Sequence, residues 1–181
     1  MIKVIAGKYR SRNLLTPEEG TEPTKNRVRE AIMSALSDLI PGATVLDLFA
    51  GSGALGIECL SRGASSCYFN DANVKTAMLV KKNLQTLKEN NGIVSNQDYL
   101  AYLNQKGLLP AFDIVFLDPP YALKEAYQES LSLLLNNGLL KENGAIVFEY
   151  EGGISVDVTA FAKAKEYTYG KTKVLIARKS L

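Results

Sequence analysis

Beyond residue 43 the apolar positions gather into short runs, each followed by a stretch in which apolar and polar residues recur at helical spacing. Residues 44–49 form the first run, of strand length, and a glycine-rich turn leads from it into a helix expected over 54–61. The same pattern predicts strands at 67–70, 93–95, 112–117 and 145–149, separated by helices at 73–88, 99–106 and 124–135. Residues 167–169 and 173–177 flank Gly170 and read as a closing antiparallel pair. Strands alternating with helices predict an α/β fold, a mostly parallel seven-stranded sheet with helices on both faces. Ligands of such sheets bind at the carboxyl ends of the strands, so the chemistry is sought there.

Ahead of this pattern, residues 2–15 mix short apolar and basic positions, and Thr16-Pro17 followed by Glu18-Glu19-Gly20 closes them like a turn. Residues 1–22 are therefore expected to form a small basic arm or hairpin. Thr24 is placed to cap a helix whose Val28, Ile32, Ala35, Leu36 and Leu39 make one apolar stripe, and Pro41-Gly42 stops it. Residues 23–181 then form a single globular catalytic domain without internal repeats.

At 181 residues, 46% apolar and 22% charged, the chain has the make-up of one soluble domain. Met1-Ile2-Lys3-Val4 lacks a charged start followed by an apolar run, so a cytoplasmic monomer with no membrane contact is expected. Histidine is absent, which removes His-based triads and His-containing zinc sites. Cys59 and Cys67 fall inside predicted core elements at no metal-ligand spacing, so no metal is expected. The net charge of +2 is unevenly spread. Lys3, Lys8, Arg10 and Arg12 precede any acid, and residues 163–179 carry Lys163, Lys165, Lys171, Lys173, Arg178 and Lys179 against Glu166 alone. Basic ends around a balanced middle suggest a phosphate-facing edge, with solvated lysine-rich faces as the plainer alternative.

The first strand runs into Asp47-Leu48-Phe49-Ala50-Gly51-Ser52-Gly53-Ala54-Leu55-Gly56, which contains G-x-G-x-x-G. Glycine lets the backbone approach a ligand and turn sharply into the following helix. Asp71 ends the second strand twenty residues after Gly51, where a carboxylate accepts hydrogen bonds from ribose hydroxyls. This much fits a nicotinamide dinucleotide as well as S-adenosylmethionine. Asp47 tips the balance, because a carboxylate there attracts the cationic amino and sulfonium end of S-adenosylmethionine and repels a pyrophosphate. Phe49, Ala50, Gly51, Ser52 and Gly53 of the turn, Ala72 beside Asp71, and Tyr99 beside Asp98 complete the expected cofactor shell. Asp98 either holds an adenine amino group or caps a helix.

After the fourth strand comes Asp118-Pro119-Pro120-Tyr121. The lone pair of an exocyclic base amine is delocalised into the ring, so a catalyst has to localise it and receive the proton. A carboxylate and a backbone carbonyl can accept the two N–H groups and draw the nitrogen toward tetrahedral geometry. Asp118 and the carbonyl of Pro119 suit those roles, Pro119 and Pro120 stiffen the backbone, and Tyr121 offers a ring for stacking. Read alone, the tetrapeptide is also a plausible rigid turn.

With these motifs goes Ile5-Ala6-Gly7-Lys8-Tyr9-Arg10-Ser11-Arg12, then Pro23-Thr24 with Arg27-Val28-Arg29-Glu30, then Ser61-Arg62-Gly63-Ala64. Together they resemble the RsmD-type family of 16S ribosomal RNA guanine-N2 methyltransferases over nearly the whole chain. The resemblance implies a Rossmann-like, class I S-adenosylmethionine-dependent fold acting on one guanine of the small-subunit RNA, conventionally numbered 966, in assembled or assembling particles. It also implies that the basic arm helps hold RNA, through Lys8, Arg10 and Arg12. Arg27 and Arg29 could bind RNA, bind the cofactor carboxylate or form a solvated helix face. Asp71 stands where the family usually has glutamate, and Glu22 replaces a commonly basic residue before Pro23. A base buried in a duplex cannot present its amine to Asp118, so the target is expected unpaired or flipped out. The competing readings are an amino-methyltransferase for adenine N6 of DNA or a protein glutamine, a nicotinamide oxidoreductase, and a non-catalytic RNA-binding assembly factor.

Overall fold

The computed structural model describes residues 1–17 and 23–181. The Glu18-Glu19-Gly20 turn, Glu22 and the capping side chain of Thr24 lie outside the described residues. A short antiparallel hairpin, β1 (Ile2–Lys3) with β2 (Asn13–Leu14), opens the fold. Helix α1 (Pro23–Ala35) follows, then β3 (Thr44–Asp47), α2 (Ala54–Ser61), β4 (Ser66–Asn70), α3 (Val74–Leu87), β5 (Gly92–Ser95) and α4 (Tyr99–Leu103). The chain ends through β6 (Phe112–Leu117), α5 (Ala126–Asn136), β7 (Leu140–Glu151), β8 (Lys163–Tyr169) and β9 (Thr172–Arg178).

The seven strands of the main sheet lie in the order β5-β4-β3-β6-β7-β9-β8. The first five in that order run parallel, and β9 pairs antiparallel with both β7 and β8. From β3 the chain first winds outward through β4 to β5, then returns to lay β6 on the other side of β3. The carboxyl ends of β3 and β6 therefore diverge at the switch point, the place where a doubly wound sheet opens a crevice.

Alternate residues of each strand face opposite layers. Val45, Phe69, Ile114, Phe116, Val147 and Ile176 meet Ile32 and Met33 of α1, Ile57 and Leu60 of α2, and Val80 and Leu84 of α3. Leu46, Leu48, Val115, Leu117, Ile146 and Phe148 meet Tyr102 and Leu103 of α4 and Leu131 and Leu134 of α5. Both cysteines are free and buried in the first layer, where burial pushes their thiols up.

Some expected boundaries move. The helix expected over 99–106 ends at Leu103, where Asn104 caps it and tighter turns follow. The fifth strand reaches from Leu140 to Glu151 because β6 and β9 supply pairing beyond its apolar centre. The strand expected over 167–169 extends back to Lys163, recruited by pairing with β9 although most of its side chains are exposed. Helix α1 gives way after Ala35 to single turns, Leu39 N–H donating to the Leu36 carbonyl.

The arm is fastened to the body. Val4 and Leu14 are buried in the same layer as α1 to α3. Between them the loop follows α2 toward its C-terminus, where Lys8 N–H donates to the Ser61 carbonyl and Tyr9 N–H to Ser61 Oγ. Gly7 (φ +82°) touches this helix end so closely that a Cβ there would lie 1.9 Å from the Ser61 carbonyl oxygen. The carboxylate of Glu58, itself 1% exposed, accepts the N–H groups of Ile5 and Ala6 at 3.0 Å. It is flanked by Arg62 at 3.1 Å and Arg29 at 4.0 Å. A buried carboxylate is tolerated because two cations and two backbone donors surround it.

Candidate active site

Asp47 closes β3 and is buried, with Gly56 N–H donating to its Oδ2 at 3.2 Å. Loss of water pushes its carboxyl up to about 8; the Gly56 hydrogen bond opposes this, and nearby Asp118 and Asp71 add to it. The turn that follows is shaped by its glycines. Gly51 sits at φ +58° and Gly53, the residue before α2, at φ +79°, conformations that side chains rarely adopt. At Gly56 a Cβ would come within 2.4 Å of the Phe69 ring and 2.6 Å of Cys67 Sγ, so this glycine lets α2 lie directly on β4.

Neighbours brace the turn. Asp71, half-buried at the end of β4, accepts Gly51 N–H at 3.0 Å and Asn73 N–H at 2.9 Å, and Ala50 N–H donates to the Asn70 carbonyl. Asn83 of α3 donates to the carbonyls of Ser52 and Leu15 and accepts Leu15 N–H, tying the turn to the arm. Asn70 bridges three strand ends, donating to the Leu48 and Gln97 carbonyls and accepting Gln97 N–H.

Opposite the turn, Asp118-Pro119-Pro120-Tyr121 leaves the end of β6. A cavity of about 670 Å³ is lined by Phe49, Gly51, Asp71, Ala72, Asp98, Tyr99 and all four residues of the tetrapeptide. A neighbouring hollow of about 280 Å³ is lined by Asp47, Ala50, Ser52 and Ala54, and shares Phe49, Gly51, Asp118, Glu149 and Lys25 with the first. The two motifs, some seventy residues apart in sequence, thus face one continuous recess. Gly53, expected in the same shell, lines neither hollow, and a Cβ there would lie 3.1 Å from Val80 and 3.3 Å from Phe69.

Asp118 lines both hollows and is exposed to the recess. Crowding by protein raises its carboxyl above the usual range, with Lys25 opposing and Glu151 adding to the shift. Pro119 is buried, whereas Tyr121 is 76% exposed at the mouth with Lys124 Nζ 5.0 Å from its ring centre. Phe49 and Tyr99 stand 5.4 Å apart, and the Tyr99 hydroxyl donates to Glu129. Of the two readings of Asp98, the structure displays the cap: its Oδ2 accepts the N–H groups of Leu100 and Ala101 while the residue still borders the cavity. Among the described residues no cluster of His, Cys, Asp or Glu is arranged to hold a metal.

Of the expected basic residues, Lys8, Arg10, Arg12 and Arg27 line neither hollow. Lys8 pairs with the buried carboxylate of Glu89 at 2.7 Å, and Arg12 donates to the Thr86 carbonyl at 3.0 Å. These partners mark the C-terminal end of α3, at the amino edge of the sheet and away from the strand ends that carry Asp118. Arg10 and Arg27 are exposed. Of the three readings of Arg29, the solvated helix face is corrected: it is 5% exposed, held by Lys3 O, Asn26 and Glu58, and it lines the smaller hollow with Asp47 and Gly51.

Residues of the site that escape motif reading include Lys25, Asn70, Asn83 and Glu149. Glu149 carried a signal, an acid at the carboxyl end of an apolar strand. The two asparagines carried none, since their hydrogen bonds join segments distant in sequence.

Comparison with known proteins agrees with this architecture. The family described as Conserved hypothetical protein 95 matches residues 2–178. Ribosomal RNA small subunit methyltransferase D of Haemophilus influenzae is 42% identical over 153 residues, 83% of this chain and 79% of that protein. The solved structure of yhhF from Escherichia coli covers 99% of both chains at 36% identity with a TM-score of 0.85. The Thermus thermophilus 16S rRNA N2 G1207 methyltransferase, solved with AdoMet and guanosine, shares the fold at 20% identity and a TM-score of 0.73, over 90% of this chain and 44% of that one. A continuous recess framed by a glycine turn and Asp-Pro-Pro-Tyr, and a family match spanning almost every residue, place this chain in the family of the ribosomal RNA small subunit methyltransferase D proteins.

Proposed function

We propose that this protein methylates the exocyclic N2 amine of a guanine in small-subunit ribosomal RNA, using S-adenosylmethionine. The observation that carries the reading is the shared recess: Asp118-Pro119-Pro120-Tyr121 faces the glycine turn across the switch point. The site fits the cofactor. Asp47 is a buried acid whose burial is unfavourable without a cation, and the cofactor carries two positive groups. Asp71 and the rings of Phe49 and Tyr99 line the cavity, where the carboxylate would accept ribose hydroxyls and the rings would hold the adenine. When bound, S-adenosylmethionine supplies an electrophilic methyl group on a cationic sulfur.

The chain's own residues handle the amine. The Asp118 carboxylate accepts one N–H and the Pro119 carbonyl the other, which turns the nitrogen lone pair toward the methyl. Tyr121 stacks on the base and holds its plane, so orientation contributes on the order of 7 kcal/mol. The proton lost from nitrogen passes to Asp118, which opens into the recess and hence to water. The target is position 966 by family resemblance, in an assembled or assembling subunit.

Incubating labelled S-adenosylmethionine with small subunits from a strain lacking the protein, followed by mass spectrometry of the RNA, tests the reading. One N2-methylguanine per particle is expected. Methyl transfer to adenine in duplex DNA or to a protein glutamine, with none to the particles, would refute it.

A further inference from the structure

Glu149 has no part in the chemistry above, yet it lines both hollows of the recess. We infer that Glu149 is the specificity residue that accepts the ring N1–H of guanine beside the amine held by Asp118, so that the paired carboxylates select guanine over adenine. The inference rests on the guanine reading of the site.

Sheet register places the two acids together. In the parallel pairing of β6 and β7, Phe116 stands opposite Val147 and Leu117 opposite Phe148, so Asp118 and Glu149 follow as the next neighbours, on strands roughly 4.8 Å apart. Phe116 and Val147 belong to the layer under α1 to α3. Two residues further along, Asp118 and Glu149 return to that same face at the carboxyl edge. The Tyr127 hydroxyl donates to the Glu149 carbonyl at 2.6 Å, which anchors this strand end from α5.

Two acids side by side match one base edge and mismatch another. Guanine presents two adjacent donors there, the amine and N1–H. Adenine presents an amine next to a bare N1 lone pair, which an ionised carboxylate repels. Good paired contacts of this kind discriminate between bases by about ten- to a hundredfold. The groups facing Glu149 are Asp118, Asp47, Glu151 and Lys25. Burial and the adjacent acids raise its carboxyl, and Lys25 opposes them.

The test uses small-subunit particles rebuilt on RNA carrying either guanine or 2-aminopurine at the methylated position. 2-Aminopurine keeps the amine, replaces N1–H by an acceptor and lacks the 6-oxygen, so the Glu149→Gln comparison is what assigns the preference to Glu149. The wild-type protein is expected to lose at least about tenfold in kcat/KM on 2-aminopurine. In Glu149→Gln, whose amide can both donate and accept, the two substrates are expected to come within about threefold of each other, with S-adenosylmethionine affinity by calorimetry unchanged. Equal wild-type rates on the two bases, which need no variant, would overturn the inference. So would a Glu149→Gln protein that keeps the wild-type preference, or one whose loss lies in cofactor affinity. Failure of the wild type to methylate even the guanine particle would instead sink the guanine reading beneath it.

Discussion

A single carboxylate decides the proposed chemistry, and its neighbours decide its charge. Asp118→Ala is expected to lower kcat by about 10²- to 10³-fold, with S-adenosylmethionine affinity by calorimetry within about threefold of wild type. Because the Asp118 carboxyl is raised and must be ionised to take the proton from the amine, turnover is expected to fall as pH drops through the range above that of an ordinary aspartate. Asp47 gives a pH effect on stability instead. Its folded-state value near 8 exceeds that of a solvated aspartate, so its stabilising contribution is complete at acid pH and is lost as pH rises through about 8. Asp47→Asn is therefore expected to stabilise the cofactor-free protein by roughly 1–3 kcal/mol at pH 9, and much less at pH 5, in thermal melts read with a fluorescent dye. Asp47, Asp71 and Asp118 were legible in the chain because each stands in a short motif at a strand end. Glu58 and Arg29 were not, since nothing local to either residue says that a charge will be buried against segments about thirty and fifty positions away.

Elements report their own constraints. The α2 and β6 boundaries follow from unbroken patterns closed by glycine or proline, and the structure matches the expected ranges of 54–61 and 112–117. The ends of β7 and β8 could not be read this way, because polar residues there are recruited by pairing with β9 rather than by burial. Helix α2 is held on one side by the contact at Gly56 and on the other by Glu58. Gly56→Ala forces the Phe69 ring and Cys67 apart and is expected to cost about 1–3 kcal/mol in urea unfolding. Glu58→Gln leaves Arg29 and Arg62 facing a neutral partner. Its expected cost is about 3 kcal/mol, with faster amide exchange at Ile5 and Ala6 than in the wild type.

For the molecule as a whole, the layered α/β architecture was legible from strand and helix alternation, and the path of the arm was not. A basic segment without strong periodicity reads as loose, whereas here Val4, Leu14 and the Glu58 cluster press it along α2. Arg10, exposed near its tip, is expected to contribute one phosphate contact. Arg10→Ala should reduce the slope of log affinity against log salt by about one for particle binding, measured by filter retention. The fastening has a geometric outcome. Helix α3, 14 residues and roughly 20 Å long, separates the tip from the mouth where Tyr121 waits. A stacked strand covers that span with about six nucleotides at ~3.4 Å each. A nucleoside or trinucleotide is too short to reach from the recess to the hairpin, so on the proposed reading only a larger folded nucleic acid is expected to engage both, with the hairpin and the catalytic hollow as the two ends of a ruler.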